Sequence, residues 1–387
     1  MLIKKSPNAL QSMLNKITKY LPVPKVSAAA YSKARKKILH TAFVELSQVV
    51  VQGIYDGDYK TYKGKRLLAI DGSRLRIPDS EENKKEFGVS KHIDPQGNTY
   101  GEYAYARLST LHDVLNNITV DASLSGLKTD ERVHAHSHLK YTKKGDILLC
   151  DRGYYSYGLM ANIAKNKADF VIRCQRNRVK IVDDLLDGKG NESIVVNLNK
   201  PMSAGKTDPT IELPESLKVR FVSIVLDTGD IEVLATSLTN ESLTELKELY
   251  GKRWGVETHY DILKNRLALE NFTGNSSESV RQDVFVSVFL SNLESLLTSD
   301  TNEMLSAKKD TKYKQQVNKA VSFNLLKERA FDILLRVGTI DEILEELTNL
   351  FVTTPTLYRP DKVVARVKKR PAKRSLSFWK RKKKIVG

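Results

Sequence analysis

Two apolar tetrapeptides, Leu67-Leu68-Ala69-Ile70 and Ile147-Leu148-Leu149-Cys150, each run directly into an aspartate, Asp71 and Asp151. A continuous apolar run this short reads as a buried strand. Two strands therefore each deliver a carboxylate at their ends. Further strand patterns lie at residues 104–115 and 118–125, joined at Asn116-Asn117, a two-residue hairpin signal, and at residues 169–175. Residues 79–101 are polar and read as a loop. Helical patterns cover residues 130–141 and 157–167. The order is three strands, helix, strand, helix, strand, and the class is α/β.

Residues 248–267, ELYGKRWGVETHYDILKNRL, carry the second constraint. On one helix at about 100° per residue, Tyr250, Arg253, Glu257 and Lys264 share a stripe about 60° wide. Leu249, Val256, Tyr260, Leu263 and Leu267 gather beside it as an apolar flank. Gly251 and Gly255 each cost about 1 kcal/mol relative to Ala inside a helix, which points to close approach by another backbone or a ligand. A carboxylate flanked by two cations and a phenol suits a site that handles metal and phosphate.

The spacing of Tyr250, Arg253, Glu257 and Lys264 reproduces the Y-R-E-K signature of bacterial DDE transposases of the IS-four family. The LENFTG run from Leu269 to Gly274 is similar to that family's continuation, and Asp71-Gly72-Ser73 and Asp151-Arg152-Gly153-Tyr154 resemble its two aspartate motifs. The strand order also matches a ribonuclease-H-like sheet, in which the first and fourth strands are neighbours and would set Asp71 and Asp151 side by side. The resemblance implies a β-rich insertion between the last sheet strand and the Glu-bearing helix. Strand patterns at residues 193–199, 218–226 and 231–237 fill that interval.

The expected layout follows. Residues 1–60 form a helical, basic region, residues 61–176 and 241–300 the ribonuclease-H-like catalytic core, and residues 177–240 the insertion. Residues 301–360 form a helical C-terminal region and residues 361–387 a basic, disordered tail containing Trp379. The first region divides into helices at 8–21 and 27–55 around Pro22-Val23-Pro24. It reads equally as a DNA-end-binding unit or as a helical pair packed on the main domain. Residues 279–297 are strongly apolar, and helices are expected at 314–337 and 339–351, the latter opened by a Thr339-x-x-Glu342 capping box.

Transfer of a DNA phosphodiester needs two divalent ions about 4 Å apart, and magnesium prefers carboxylate oxygens. Asp71, Asp151 and Glu257 are the expected catalytic and metal-binding triad, with Mg²⁺ as cofactor and Mn²⁺ able to substitute. Taken singly, Asp71-Gly72 reads as a turn, Asp151 as a loop acid and Glu257 as a solvated helix charge; jointly they read as catalytic. Asp261, one turn from Glu257, is the rival third ligand. By resemblance Tyr250, Arg253 and Lys264 bind DNA, Arg253 through paired hydrogen bonds and Lys264 as a point charge. Of His134, His136 and His138, only His134 and His138 share a helix face, and no Glu or Cys of suitable spacing joins them, so they read as structural. Related transposases can hold a flipped base with a tryptophan of the insertion. The two tryptophans here, Trp254 and Trp379, both lie outside residues 177–240, which leaves Phe221 or another residue as a substitute.

Charge is uneven. Residues 361–387 carry twelve Lys and Arg against one Asp, or +11, and residues 1–44 carry nine with no acid, or +9; the total of +17 leaves −3 for residues 45–360. Basic ends around a near-neutral body suggest arms that grip a polyanion. No secretory pattern and no apolar run of membrane-spanning length appear, so a cytoplasmic, nucleoid-associated protein without a membrane partner is expected. Cys150 and Cys174 fall in apolar strands, where a thiol behaves as a small hydrophobe. The expected function is a transposase that cuts and joins the terminal inverted repeats of an insertion sequence, acting on double-stranded DNA as a homodimer. The alternatives are a ribonuclease-H-like nuclease without strand transfer and an inactive DNA-binding derivative.

Overall fold

The computed structural model describes residues 10–17, 24–94, 96–202, 212–308, 311–335 and 339–357. The expected basic tail, residues 361–387 with Trp379, lies outside them, as do residues 8–9 and 18–23 of the first expected helix and its break.

In chain order, helices α1 (Leu10–Ile17), α2 (Ala28–Arg35) and α3 (Thr41–Asp56) precede strand β1 (Leu67–Arg76). Helix α4 (Glu81–Phe87) leads to β2 (Val89–Ile93), β3 (Thr99–Asp113) and β4 (Ile118–Gly126). Then come α5 (Glu131–His138), β5 (Ile147–Cys150), α6 (Tyr157–Lys165), β6 (Asp169–Arg173) and α7 (Lys180–Leu186), followed by β7 (Ser193–Asn199), β8 (Ser216–Val225) and β9 (Ile231–Thr236). The remainder is mainly helical, with α8 (Leu243–Gly251), α9 (Trp254–Asp261), a π-helical turn at Ile262–Arg266, α10 (Ser277–Ser306), α11 (Lys319–Leu335) and α12 (Ile340–Thr353), and one short antiparallel pair, β10 (Gln315–Gln316) with β11 (Thr356–Leu357). Two compact units result, one of Met1–Gly53, Ile77–Asn83 and Ile262–Gly387, the other of Ile54–Arg76 and Lys84–Asp261.

The second unit holds the sheet, in the order β2-β3-β1-β5-β6-β9-β8-β7, with β4 on β3. Strand β1 runs antiparallel to β3 and parallel to β5, and β5 runs parallel to β6. The path β4-β3-β1-β5-β6 is the expected ribonuclease-H-like order. The strands of the insertion do not form a separate sheet: β9 pairs antiparallel with β6 and carries β8 and β7 outward, covering an edge that would otherwise offer unpaired backbone groups. Leu68, Ile70, Leu111, Cys150, Phe170 and Ile172 pack on one face with Leu159, Met160 and Ile163 of α6. Burial of each such side chain contributes about 1.5–3 kcal/mol. Alternation along β3 sends Thr110 and His112 to the opposite face, where α9 lies: His112 stacks on His259 at 4.3 Å, and Thr119 of β4 bonds His259 at 2.9 Å.

Three sequence expectations are corrected here. Residues 79–101 are not a loop; they hold α4, β2 and the start of β3, and β2 was illegible because its burial pattern of alternating exposed and intermediate positions presents no buried apolar face. The β3–β4 connection spans residues 114–117 rather than two residues, with Asn117 at φ 55° and Asp113 Oδ1 accepting from the N–H groups of Leu115 and Asn116 at 3.0 and 3.1 Å. The helix expected over residues 27–55 is broken between α2 and α3.

The reason for that last break lies within the first unit. Gln282 of α10 donates to the carbonyls of Arg35 and Ile38 at 3.2 and 2.5 Å, and Glu278 accepts from the His40 N–H at 2.6 Å, so α10 supplies the partners that a continuous helix would have supplied internally. Glu294 of α10, 2% exposed, bonds Lys319 and Ser322, both at 2.5 Å. Leu305, Val317, Ile343, Leu347 and Phe351 form this unit's apolar cluster. The capping box of Thr339 and Glu342 opens α12 as expected. Among the described residues no helix is long and apolar enough to cross a membrane.

Candidate active site

Parallel pairing of β1 with β5 ends at Ile70 opposite Cys150. The next residues are Asp71 and Asp151, which leave two neighbouring strands about 4.8 Å apart at the same level. Strand β1 does not stop there; it continues to Arg76 paired with β3 alone, while the segment after β5 turns into a short 3₁₀ stretch, Arg152–Tyr154, with Asp151 at its N-cap. The two aspartates thus sit where the sheet divides. Asp71 Oδ1 accepts from the Gly72 N–H at 2.8 Å. Asp151 Oδ1 accepts from Nε and Nη2 of Arg173, at the end of β6, at 2.9 and 2.8 Å, and Arg173 Nη1 reaches Glu232 of β9 at 2.5 Å.

The expected single helix over residues 248–267 is two helices. Helix α8 ends at Gly251, and α9 starts at Trp254; across the joint Arg253 N–H bonds the Tyr250 carbonyl at 3.0 Å and Val256 N–H bonds the Arg253 carbonyl at 3.1 Å, a tighter winding than the α-helix. Gly255 permits close approach, since a Cβ there would lie 3.2 Å from Val114 Cβ; nothing stands within 4 Å of one on Gly251, which simply ends α8. The tightened joint carries Arg253 inward, where it is 5% exposed, bonds Glu257 at 2.8 Å and lies 5.6 Å from the Tyr250 ring. The Tyr250 hydroxyl is buried with no hydrogen-bond partner among the described residues.

Tyr260 sets the height of α9. Its hydroxyl lies 2.8 Å from the Asp71 carbonyl, 3.2 Å from the Leu108 carbonyl and 3.1 Å from Thr110 Oγ1. Glu257, three residues earlier on the same helix, is thereby held beside Asp71. Burial pushes the Asp71 carboxyl up to about 6; Glu257 and Asp151 push in the same direction, against the Gly72 N–H and Arg253.

The donor chemistry, two aspartates and a glutamate, is that of hard divalent cations. In the present side-chain arrangement no group of three or more His, Cys, Asp or Glu among the described residues is gathered tightly enough to hold an ion. Asp151 and Glu257 are instead turned onto Arg173 and Arg253.

The other residues singled out from the sequence separate clearly. Asp261 is exposed at the end of α9, and the charges acting on Asp71 are those of Arg253, Glu257 and Asp151. Lys264 lies on the π-helical turn, assigned to the first unit. His134, His136 and His138 contact Ser125, Asn162 and the Asp121–Ser109 pair, respectively, and so pack α5 in place. Phe221 is 0% exposed in the sheet core, which removes it as a base-holding surface residue, whereas Trp254 is 56% exposed. The free thiols of Cys150 and Cys174 are buried and pushed up to about 12 by that burial. Sequence reading missed Arg173 and took Tyr260 for an apolar flank. The available signal for Arg173 was an arginine closing the apolar run Phe170-Val171-Ile172 on the strand that follows that of Asp151.

The chain is similar to several known proteins. The chain is 25% identical over 295 residues to the transposase InsG for insertion sequence element IS4 of Escherichia coli K12, covering 73% of this chain and 64% of that protein. It is 27% identical over 149 residues to the putative transposase y4zB of Sinorhizobium fredii, covering 38% and 41%, and 29% identical over 102 residues to the putative transposase InsZ of E. coli K12, covering 26% and 33%. The chain thus spans less than two thirds of the length of the curated relatives it matches. Among solved structures it is similar to piggyBac transposase in a cryo-EM synaptic complex with hairpin DNA, at a TM-score of 0.46 and 11% identity, covering 94% of this chain and 76% of that one. Residues 62–293, more than half of the chain and the segment that contains Asp71, Asp151 and Glu257, match the transposase DDE domain, and the chain belongs to that family.

Proposed function

We propose that this protein is the transposase of an insertion sequence, binding the element's terminal inverted repeats, cutting the DNA there and joining the freed 3′ ends to target DNA. The observation that carries the reading is the register of β1 and β5, which releases Asp71 and Asp151 side by side beneath Glu257 of α9. These three residues would hold the divalent ions, Mg²⁺ with Mn²⁺ as substitute. Held there, such ions would supply activation of an attacking oxygen and charge stabilisation of a leaving one. Asp151 and Glu257 must then release Arg173 and Arg253, which frees both guanidinium groups for phosphate oxygens. Tyr250 has an unused hydroxyl to donate, and Lys264 adds a point charge to the DNA contact.

Double-stranded DNA is the partner, gripped through the basic ends, residues 1–60 and 361–387. Two element ends have to be processed together, and a homodimer on DNA meets that need. The working location is the cytoplasm, at the nucleoid.

The test is incubation of the full chain with a labelled duplex carrying its element's ends, with and without Mg²⁺, beside a Glu257→Gln variant. End-specific cutting that needs metal and is lost in the variant, with DNA affinity retained, is the expected result. Undiminished cutting by Glu257→Gln would refute the assignment, and nicking without end preference or joined products would reduce the protein to a nuclease.

A further inference from the structure

Next to the carboxylates the second unit has a cavity of about 580 Å³ whose wall carries Arg107, Lys128, Arg132 and Arg178 against Asp130 and Glu131. Four cations against two acids leave two net positive charges. The acids are already committed: Glu131 Oε1 pairs with Arg107 at 2.8 Å and Asp130 Oδ2 with Arg132 at 2.7 Å. Lys128 and Arg178, both exposed at the ends of different loops, are the cations able to close on an incoming anion.

The cavity reaches the segment that follows Asp151. Gly153, two residues after Asp151, lines it. The Glu131 carboxylate reaches the backbone that follows both aspartates, because a Cβ on Gly72 would lie 3.4 Å from its Oε1 and one on Gly153 3.9 Å from its Oε2. The Glu131 carboxylate, paired with Arg107, therefore stands at ordinary contact distance from the glycines of both aspartate motifs while lining the cavity. A DNA strand carries a phosphate about every 3.4 Å of helix axis. A phosphodiester at Asp71, Asp151 and Glu257 would have neighbouring phosphates of the same strand one or two such steps away.

We propose that this cavity is a second phosphate subsite for the strand that carries the scissile bond, with Lys128 and Arg178 as its contacts. The identity of the strand rests on the transposase reading; the affinity of the cavity for a phosphodiester backbone does not. Each phosphate contact contributes roughly 0.9 to the slope of log affinity against log salt.

Affinity of the full chain for a labelled duplex is measured across a salt series for the wild type, for Lys128→Ala with Arg178→Ala, and for Lys140→Ala with Lys144→Ala. The last pair removes two cations ahead of β5, at the end of that strand away from Asp151. The first pair should lower the slope by roughly 1.8, and the second should leave it unchanged. An unchanged slope in the first pair, or an equal fall in both, overturns the subsite. Metal-dependent end cleavage is read on the same wild-type preparation. Cleavage with no slope change removes the subsite and leaves the transposase, whereas the expected slope change without cleavage keeps the phosphate contact and removes the transposase.

Discussion

Strand β5 is bracketed by two aspartates that meet opposite fates. Asp146, just before it, is 3% exposed and spends both oxygens: Arg66 Nε and Nη2 reach it at 2.8 and 2.5 Å, and the Lys143 N–H at 2.7 Å. Asp151, just after it, has a side chain 32% exposed, uses one oxygen, and shares its arginine with Glu232. The first acid has a buried, dedicated, bidentate partner and ties the starts of β1 and β5 together. The second keeps a spare oxygen among like charges. A fully satisfied buried pair holds structure, while an acid left partly unsatisfied in a cluster is available for chemistry.

Substitution at the open end has the largest expected effect. Asp151→Asn should cut metal-dependent DNA cleavage by about 1,000-fold or more, as loss of several kcal/mol of metal-derived stabilisation implies, with a melting temperature close to wild type. A comparable loss of folding would show that Asp151 is as structural as Asp146. Asp146→Ala should cost about 3–5 kcal/mol in denaturant unfolding, because it strands the buried Arg66 charge. A cost under about 1 kcal/mol would erase the contrast between the two ends.

Asp71 sharpens the same contrast through pH. Its carboxyl is pushed up to about 6 from 3.8, so the folded chain holds that proton more tightly than the unfolded chain does. Stability is then lost as pH rises from about 4 to 6 and stays lost above. Asp71→Asn should therefore stabilise the metal-free protein by about 1–2 kcal/mol at pH 8, the gain shrinking to nothing near pH 4. A pH-independent difference would mean that burial does not disfavour the charged carboxylate in its site. The smallest effect belongs to Tyr260→Phe. It should cost about 1 kcal/mol of stability and lower the cleavage rate by loosening the seat of Glu257 without altering affinity for duplex DNA.

Much of the core was legible because its signals are local. The apolar tetrapeptides before Asp71 and Asp151 are buried on both faces and so lack the ambiguity of half-exposed strands. The β7, β8 and β9 patterns, bounded by turn residues, were visible for the same reason. Illegible elements drew their stability from elsewhere in the chain. Strand β2 exists because β3 runs on to pair with it, and α2 is separated from α3 because Gln282 and Glu278, far along the sequence, take the backbone groups at the break. Arg173 carries no motif, and its meaning appears only once β6 lies beside β5.

By itself the sequence determined the family, the pairing of the two strands that run into Asp71 and Asp151, and which acids to propose, since those depend on residue type, spacing and apolar runs. Tertiary structure alone decided which atoms meet. It broke the motif helix at Lys252 and Arg253 and turned Arg253 onto Glu257. It also made Tyr260 a hydroxyl clamp on Asp71, and set Glu131 against Gly72 and Gly153. Periodicity specifies which face of an element a residue occupies, but a hydrogen bond is made within about 3 Å. That distance is fixed only when separate elements have packed.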